Sequence, residues 1–182
     1  MNFIKKIQTR NSARLLEKPY PTKSELKEVY TAALRAPDHA WLKPTSFIEI
    51  KDAGIDKLSK VFKNYAIKND KPTEIIEKYS NAPYRAPMII AVVNNYKKHP
   101  KVPKIEQMLS SAASCQNILL SLEDIGYGCI WRTGKLAFNK DIGKSLGLNE
   151  NQEIIAFIYV GTKVGKSKKI PTRNIDDFIN YL

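Results

Sequence analysis

The sequence predicts an α+β fold: a mostly antiparallel or mixed sheet covered by helices on both sides. Three observations lead there. Helical and strand-like patterns alternate along all 182 residues with no visible repeat and no long linker, so residues 1–182 are expected to form one domain. Residues 88–93 are a continuous apolar run of strand length, as a central strand covered on both faces requires. Residues 105–125 form the longest helical pattern, apolar on most sides through Met108, Leu109, Cys115, Ile118, Leu119 and Leu122. A helix that apolar must be buried.

The other elements follow in order. Phe3, Ile4 and Ile7 recur at helical spacing over residues 2–9. Pro19-Tyr20-Pro21 is an extended connector, and Thr22 with Glu25 forms a capping box that starts a helix. Leu26, Val29, Tyr30, Ala33 and Leu34 continue that helix until Pro37 stops it, which puts Arg35 in the last turn. His39, Trp41 and Lys43 then occupy a short loop pinned by Pro37 and Pro44, the kind of braced segment where binding groups concentrate. Residues 45–51 alternate around Phe47, Ile48 and Ile50 and read as a strand. A helix over 55–67 carries Leu58, Val61, Phe62 and Tyr65 on one stripe, and Asn69-Asp70-Lys71-Pro72 breaks it. A short helix over 73–79 follows, then a rigid turn bracketed by Pro83 and Pro87.

After the apolar run comes a polar loop over 94–104, and Gly126 closes the long helix in a left-handed cap. Cys129, Ile130 and Trp131 read as a strand, residues 139–146 as a short helix capped by Gly147, and 153–160 as a last apolar strand. The tail over 162–182 is basic and ends on a stripe of Ile175, Phe178, Ile179 and Leu182, expected to be ordered against the body or a partner subunit.

Composition narrows the function. No run approaches the ~20 apolar residues of a membrane helix. The opening Met1-Asn2-Phe3-Ile4 lacks the features of a signal peptide, so a cytoplasmic location is expected. Cys115 and Cys129 lie in apolar runs and read as buried inert thiols. With only His39 and His99 beside them, no metal site is expected. The net charge of +12 raises nucleic-acid binding as a candidate. Yet the lysines are spread along the chain, and the only dense run is 163–169 with Arg173 beyond. The same positive field would attract anionic ligands such as dinucleotide phosphates. Gly126-Tyr127-Gly128-Cys129-Ile130-Trp131 is not a dinucleotide fingerprint, because Trp131 replaces the third glycine and the order is helix to strand. A Walker phosphate loop and a Gly-x-Ser-x-Gly nucleophile elbow are absent from the sequence.

Three stretches stand out: Arg10-Asn11-Ser12-Ala13-Arg14, Arg35-Ala36-Pro37-Asp38-His39, and Gly126 through Trp131-Arg132-Thr133-Gly134. With Asn81-Ala82-Pro83-Tyr84-Arg85-Ala86-Pro87, Lys101-Val102-Pro103 and Glu106-Gln107, they resemble the flavin-binding nitroreductase family along essentially the whole chain, most closely its compact, single-domain YdjA-like branch. The resemblance implies that family's α+β architecture. It also implies an enzyme that passes hydride from NADH or NADPH through flavin mononucleotide (FMN) to an oxidised small molecule, such as a nitroaromatic or quinone, by a ping-pong scheme. Such chemistry needs cations, hydroxyls and backbone donors around the cofactor, and no protein nucleophile.

By resemblance, Arg10, Asn11, Ser12, Arg35, His39, Trp131, Arg132 and Thr133 bind FMN. Asn11 departs from the family's usual arginine, and Thr133 keeps the hydroxyl of its usual serine. Ser121, Leu122, Glu123, Asp124, Ile125 and Gly126 correspond to a nicotinamide contact region. The resemblance further implies a homodimer whose flavin sites are shared between subunits, with the long helix at the interface. Another flavin-dependent redox reaction on the same fold, dehydrogenation or dehalogenation, is the alternative within enzymes, and a basic nucleic-acid-binding module is the alternative outside them.

Overall fold

The computed structural model describes residues 2–166 and 168–182; Met1 of the opening stretch and Ser167 of the basic run lie outside them. Eleven regular elements follow one another among the described residues: α1 (Phe3–Thr9), β1 (Leu16–Glu17), α2 (Lys23–Ala33), β2 (Thr45–Lys51), α3 (Ala53–Lys68), α4 (Thr73–Asn81), β3 (Met88–Asn95), α5 (Lys104–Asp124), β4 (Gly128–Arg132), α6 (Lys140–Ser145) and β5 (Gln152–Lys163). The expected α+β architecture is present, and every strand pair in it is antiparallel.

The sheet runs β1-β5-β3-β2, with β4 also paired to β5. Side chains on β3 alternate between two cores. Ile89, Ala91 and Val93 join Leu58, Phe62, Ile142 and Tyr159 beneath α3 and α6. Met88, Ile90 and Val92 join Leu26, Val29, Ile118 and Leu122 beneath α2 and α5. Residues 88–93 are at most 1% exposed, which is why their sequence shows no alternation of polarity.

Local signals explain most boundaries. Thr22 Oγ1 accepts from the Glu25 amide, and Glu25 Oε2 accepts from the Thr22 amide at 2.7 Å, so the capping box forms as expected. Gly126 takes φ +91 after α5, the left-handed cap. Gly161 has a different duty. A Cβ there would lie 2.8 Å from Glu17 O and 2.9 Å from Pro87 Cδ, so only glycine lets three chain segments meet.

Some expectations require correction. Helix α2 ends at Ala33 with Leu34 as its C-cap, so Arg35 lies just beyond the helix, its amide donating to Ala32 O at 3.1 Å in the closing turn. β5 extends to Lys163 because Thr162 and Lys163 pair with the two-residue strand β1. The apolar stripe of the tail carries a short 3-10 turn at Ile175–Phe178, but Ile175 and Phe178 stay 65% and 61% exposed; the body of this chain does not cover them. No helix among the described residues is long and apolar enough to cross a membrane.

Candidate functional site

The segment after α1 is fastened by its backbone. The Ala13 amide donates to Cys129 O at 3.0 Å, and the Val164 amide donates to Leu15 O at 3.2 Å. Arg10 Nη1 reaches Ser12 Oγ at 3.5 Å, and Asn11 Nδ2 donates to Lys168 O at 2.6 Å. The last contact brings the basic tail over the N-terminal segment. Together they enclose a cleft of about 400 Å³ lined by Asn11, Ser12, Arg14, Lys163, Lys166 and Lys168. Lys163 is paired with Glu123 at 2.7 Å; among the described residues, no ion pair forms at Arg10, Arg14, Lys166 or Lys168. The sequence shows the basic run but not its destination, which depends on the β1–β5 pairing.

A second cleft, of about 640 Å³, lies at the Arg35 loop. Asp38 staples that loop: its carboxylate accepts from the Leu42 amide at 3.1 Å and the Lys43 amide at 2.7 Å. Ala40, Trp41 and Lys43 hold φ of +58, +54 and +51, a costly left-handed backbone for residues with a Cβ. His39 starts a 3-10 turn, and its Nδ1 meets Glu106 Oε2 in the first turn of α5 at 2.6 Å. Arg35, Trp41 and Lys43 line the cleft with Thr45, Ser110 and Ser114. Trp41 is 76% exposed, so nothing among the described residues covers its ring. Behind it, Ser111 donates to Asn94 Oδ1 at 2.7 Å and lies 2.9 Å from Thr45 Oγ1.

The third stretch ends β4. Strand alternation sends Ile130 to the α3 side and Cys129 and Trp131 to the α5 side. Arg132 lies on the Tyr159 side, its guanidinium 5.2 Å from the ring centre. Trp131 Nε1 and Arg132 Nε are buried donors without an acceptor among the described residues. Burial lowers the Arg132 pKa, and the positive charges of Arg85 and Arg14 lower it further. Thr133 is exposed just beyond the strand.

The end of α5 is less suited to an anionic dinucleotide. Glu123 is held by Lys163 and Asp124 by Lys6. Ser121, Asp124 and Ile125 border a shallow groove with Phe3 and Lys6. Leu122 is 0% exposed within the core, so its side chain cannot touch a nicotinamide. Helix phase against α2 decides this, and spacing along one sequence does not reveal it.

The structure therefore gathers the sequence-derived residues into two places. Arg10, Asn11 and Ser12 lie beside the start of β4, where the Ala13 amide bonds Cys129 O, and the charge of Arg14 is felt at Arg132. Arg35 and His39 lie at the other cleft, and the two clefts share no lining residue. Cys115 and Cys129 are buried, and burial pushes each thiol up to about 12, which leaves no thiolate at neutral pH. No group of His, Cys, Asp or Glu among the described residues could hold a metal ion.

A curated relative from Escherichia coli (strain K12), named "Putative NAD(P)H nitroreductase YdjA", is 32% identical over 182 residues, which is 100% of both chains. The solved nitroreductase-like family protein from Bacillus cereus superposes with a TM-score of 0.83 at 22% identity, covering 100% of this chain and 96% of that one. A protein from Desulfovibrio desulfuricans solved in complex with FMN superposes with a TM-score of 0.78 at 17% identity, covering 100% and 97%. These two likenesses concern the fold. The nitroreductase family model matches residues 7–162, which spans every element from the Arg10 segment to β5, and with the full-length relative it establishes that this chain belongs to the nitroreductase family.

Proposed function

We propose that residues 1–182 act as one domain that binds FMN and transfers reducing equivalents from NADH or NADPH to an oxidised small molecule such as a nitroaromatic or quinone. One observation carries the reading: the motif residues Asn11, Ser12 and Arg35 line two cation-bearing clefts, and Trp131 and Arg132 on β4 keep buried donors without an acceptor among the described residues. FMN carries a phosphate, a hydroxylated ribityl chain and ring carbonyls, all of them acceptors, and the buried donors Trp131 Nε1 and Arg132 Nε fit such a group. Family membership, the NAD(P)H in the name of YdjA and the FMN held by the Desulfovibrio protein support the same choice.

FMN, when bound, supplies the hydride chemistry. The chain's own task is grip and exclusion. Arg10, Lys166 and Lys168 neutralise a phosphate, and the Ser12 hydroxyl donates to it. Arg35 and Lys43 add positive charge from the stapled loop, and Trp41 supplies an aromatic face. Donor and acceptor use one open face in turn, the ping-pong order. The working unit is a homodimer in which the Arg35/His39 loop of one subunit completes the Arg10 cleft of its partner. The separation of the two clefts and the uncovered Trp41, Ile105, Leu109 and Phe178 support that arrangement. The test is direct. The protein should purify yellow and bleach anaerobically on addition of NADH or NADPH, with colour returning on addition of a quinone. A colourless protein that neither takes up FMN nor oxidises NAD(P)H would refute the reading.

A further inference from the structure

Pro103, Glu106 and Gln107 belong to two distinctive runs of the sequence that the proposed function leaves unused. The fold brings them together at the start of α5. Pro103 is the N-cap of that helix, and Lys104, Ile105 and Glu106 fill its first three positions. A glutamate at the third position ordinarily reaches back to the amide of the N-cap residue, as Glu25 does to Thr22 at 2.7 Å. Proline has no amide hydrogen to offer. The Glu106 carboxylate is therefore released from capping its own helix. It meets the Arg35 loop instead, where Oε2 lies 2.6 Å from His39 Nδ1.

Both sides of this contact are braced. Val102 and Gln107 are buried, and the Gln107 side chain grips the Lys97 backbone twice. Its Oε1 accepts from the Lys97 amide at 2.9 Å, and its Nε2 donates to Lys97 O at 3.0 Å. The loop before α5 is thus closed against the first turn of the helix. Across the contact, Asp38 beside His39 holds the Leu42 and Lys43 amides. The two side chains are 56% and 42% exposed, and a pair so open to water adds little to stability. What it fixes is the ring. A carboxylate only accepts hydrogen bonds, so the hydrogen between the two groups sits on Nδ1. Nε2, at the far edge of the imidazole, has no hydrogen-bond partner among the described residues. In a neutral ring with Nδ1–H, Nε2 is an acceptor. FMN offers matching donors in the hydroxyls of its ribityl chain and the N–H of its ring.

We propose that Glu106 is a positioning residue: it holds His39 in the Nδ1–H form and so makes Nε2 the atom that accepts from a hydroxyl or ring N–H of FMN. The proposal rests on the reading of His39 as an FMN-binding residue, and one arm of its test needs no flavin.

The chain has two histidines, so His99→Asn leaves His39 as the one imidazole in the NMR spectrum of nitrogen-labelled protein. The spectrum is recorded on the full chain in alkaline buffer, where the ring is neutral. His39 should show a protonated Nδ1 and a bare Nε2. Glu106→Ala should move the hydrogen toward Nε2, the nitrogen that free histidine favours. Glu106→Gln, whose amide oxygen still accepts, should keep the parent's pattern. A protonated Nε2 in the parent, or a pattern that Glu106→Ala leaves unchanged, overturns the proposal. The second arm is FMN affinity by fluorescence titration in a double-mutant cycle of Glu106→Ala and His39→Ala. Glu106→Ala should weaken binding about tenfold when His39 is present and less than about twofold when it is absent, and Glu106→Gln should stay within about threefold of the parent. Equal weakening in both backgrounds shows that Glu106 acts without His39 and overturns the proposal, as does unchanged affinity in His39→Ala. A protein that takes up no FMN ends the flavin assignment of Nε2 together with the proposed function, and the spectrum alone then decides whether Glu106 sets the ring.

Discussion

Single side chains in this protein divide by whether their partner lies within the chain. Glu123 and Asp124 are satisfied by Lys163 and Lys6, whereas the Arg10 side chain has, among the described residues, a long contact to Ser12 and no ion pair. Arg10→Ala should therefore remove a charge-assisted contact to the cofactor worth about 1.5–3 kcal/mol, seen as a tenfold to hundredfold weaker FMN affinity in a fluorescence titration. Unchanged affinity would remove Arg10 from the site. The cysteines predict the opposite. With both thiols buried and pushed up to about 12, a thiol reagent should label neither until the protein unfolds, and the Cys115→Ser/Cys129→Ser double variant should still oxidise NAD(P)H. Residue-scale legibility was uneven for a physical reason. Arg10, Arg35 and Trp131 stand in distinctive runs, so they are readable as candidates from their neighbours in the chain. The burial of Leu122 and the meeting of Lys168 with Asn11 depend on tertiary packing, which leaves no mark on local spacing.

At the scale of elements, the patterns that carry periodicity were readable and the short ones were not. β2 occupies the same seven residues that its alternation predicts, and the capping box at Thr22 and Glu25 starts α2 where expected. β1 has two residues, too few for any period, and without it the last two residues of β5, Thr162 and Lys163, could not be foreseen. The 3-10 turn at His39–Trp41 was also invisible, because no glycine announces its left-handed residues. The cap gives a measurable consequence. Thr22→Ala should cost about 1 kcal/mol and lower Tm by about 2–4 °C. The Thr22 amide, and then its hydroxyl, hold the Glu25 carboxyl below its ordinary 4.5. A depressed carboxyl stabilises the fold above its unfolded pKa and loses that contribution as pH falls through the folded value. Thr22→Ala keeps the amide donor and removes the hydroxyl, so the Tm gap between parent and variant should narrow in part on acidification below 4.5; a gap constant down to full protonation would assign the effect to the bond that Thr22 Oγ1 accepts from the Glu25 amide.

For the whole molecule, the two-sided sheet was legible from one apolar run and one long helix, because burial on both faces erases polarity from the sequence. The separation of Arg10–Ser12 from the Arg35 loop was implied by the family resemblance alone, through its shared flavin sites; no composition or spacing within one chain reveals it. Subunit exchange tests the shared site. Arg10→Ala and Arg35→Ala proteins, each deficient in FMN binding, are mixed and allowed to exchange. In a shared arrangement the heterodimer has one site with both lesions and one intact, so flavin binding and activity partly return. Verified heterodimers that stay colourless and inactive would place Arg10 and Arg35 in one site of one chain.

The enclosure of β3 has a further consequence. Its residues 88–93 are sealed by helices above and below and by β2 and β5 on either edge, while the segments around Arg10 and Arg35 lie outside that slab. Amide protons of β3 should exchange with deuterium only through global opening, and those of the two binding segments through local opening. Adding FMN should slow exchange in the segments by far more than in the slab, measured by mass spectrometry of peptic fragments. On this basis the holoprotein should shed its cofactor by loosening its rim, at a rate uncoupled from the unfolding of its centre.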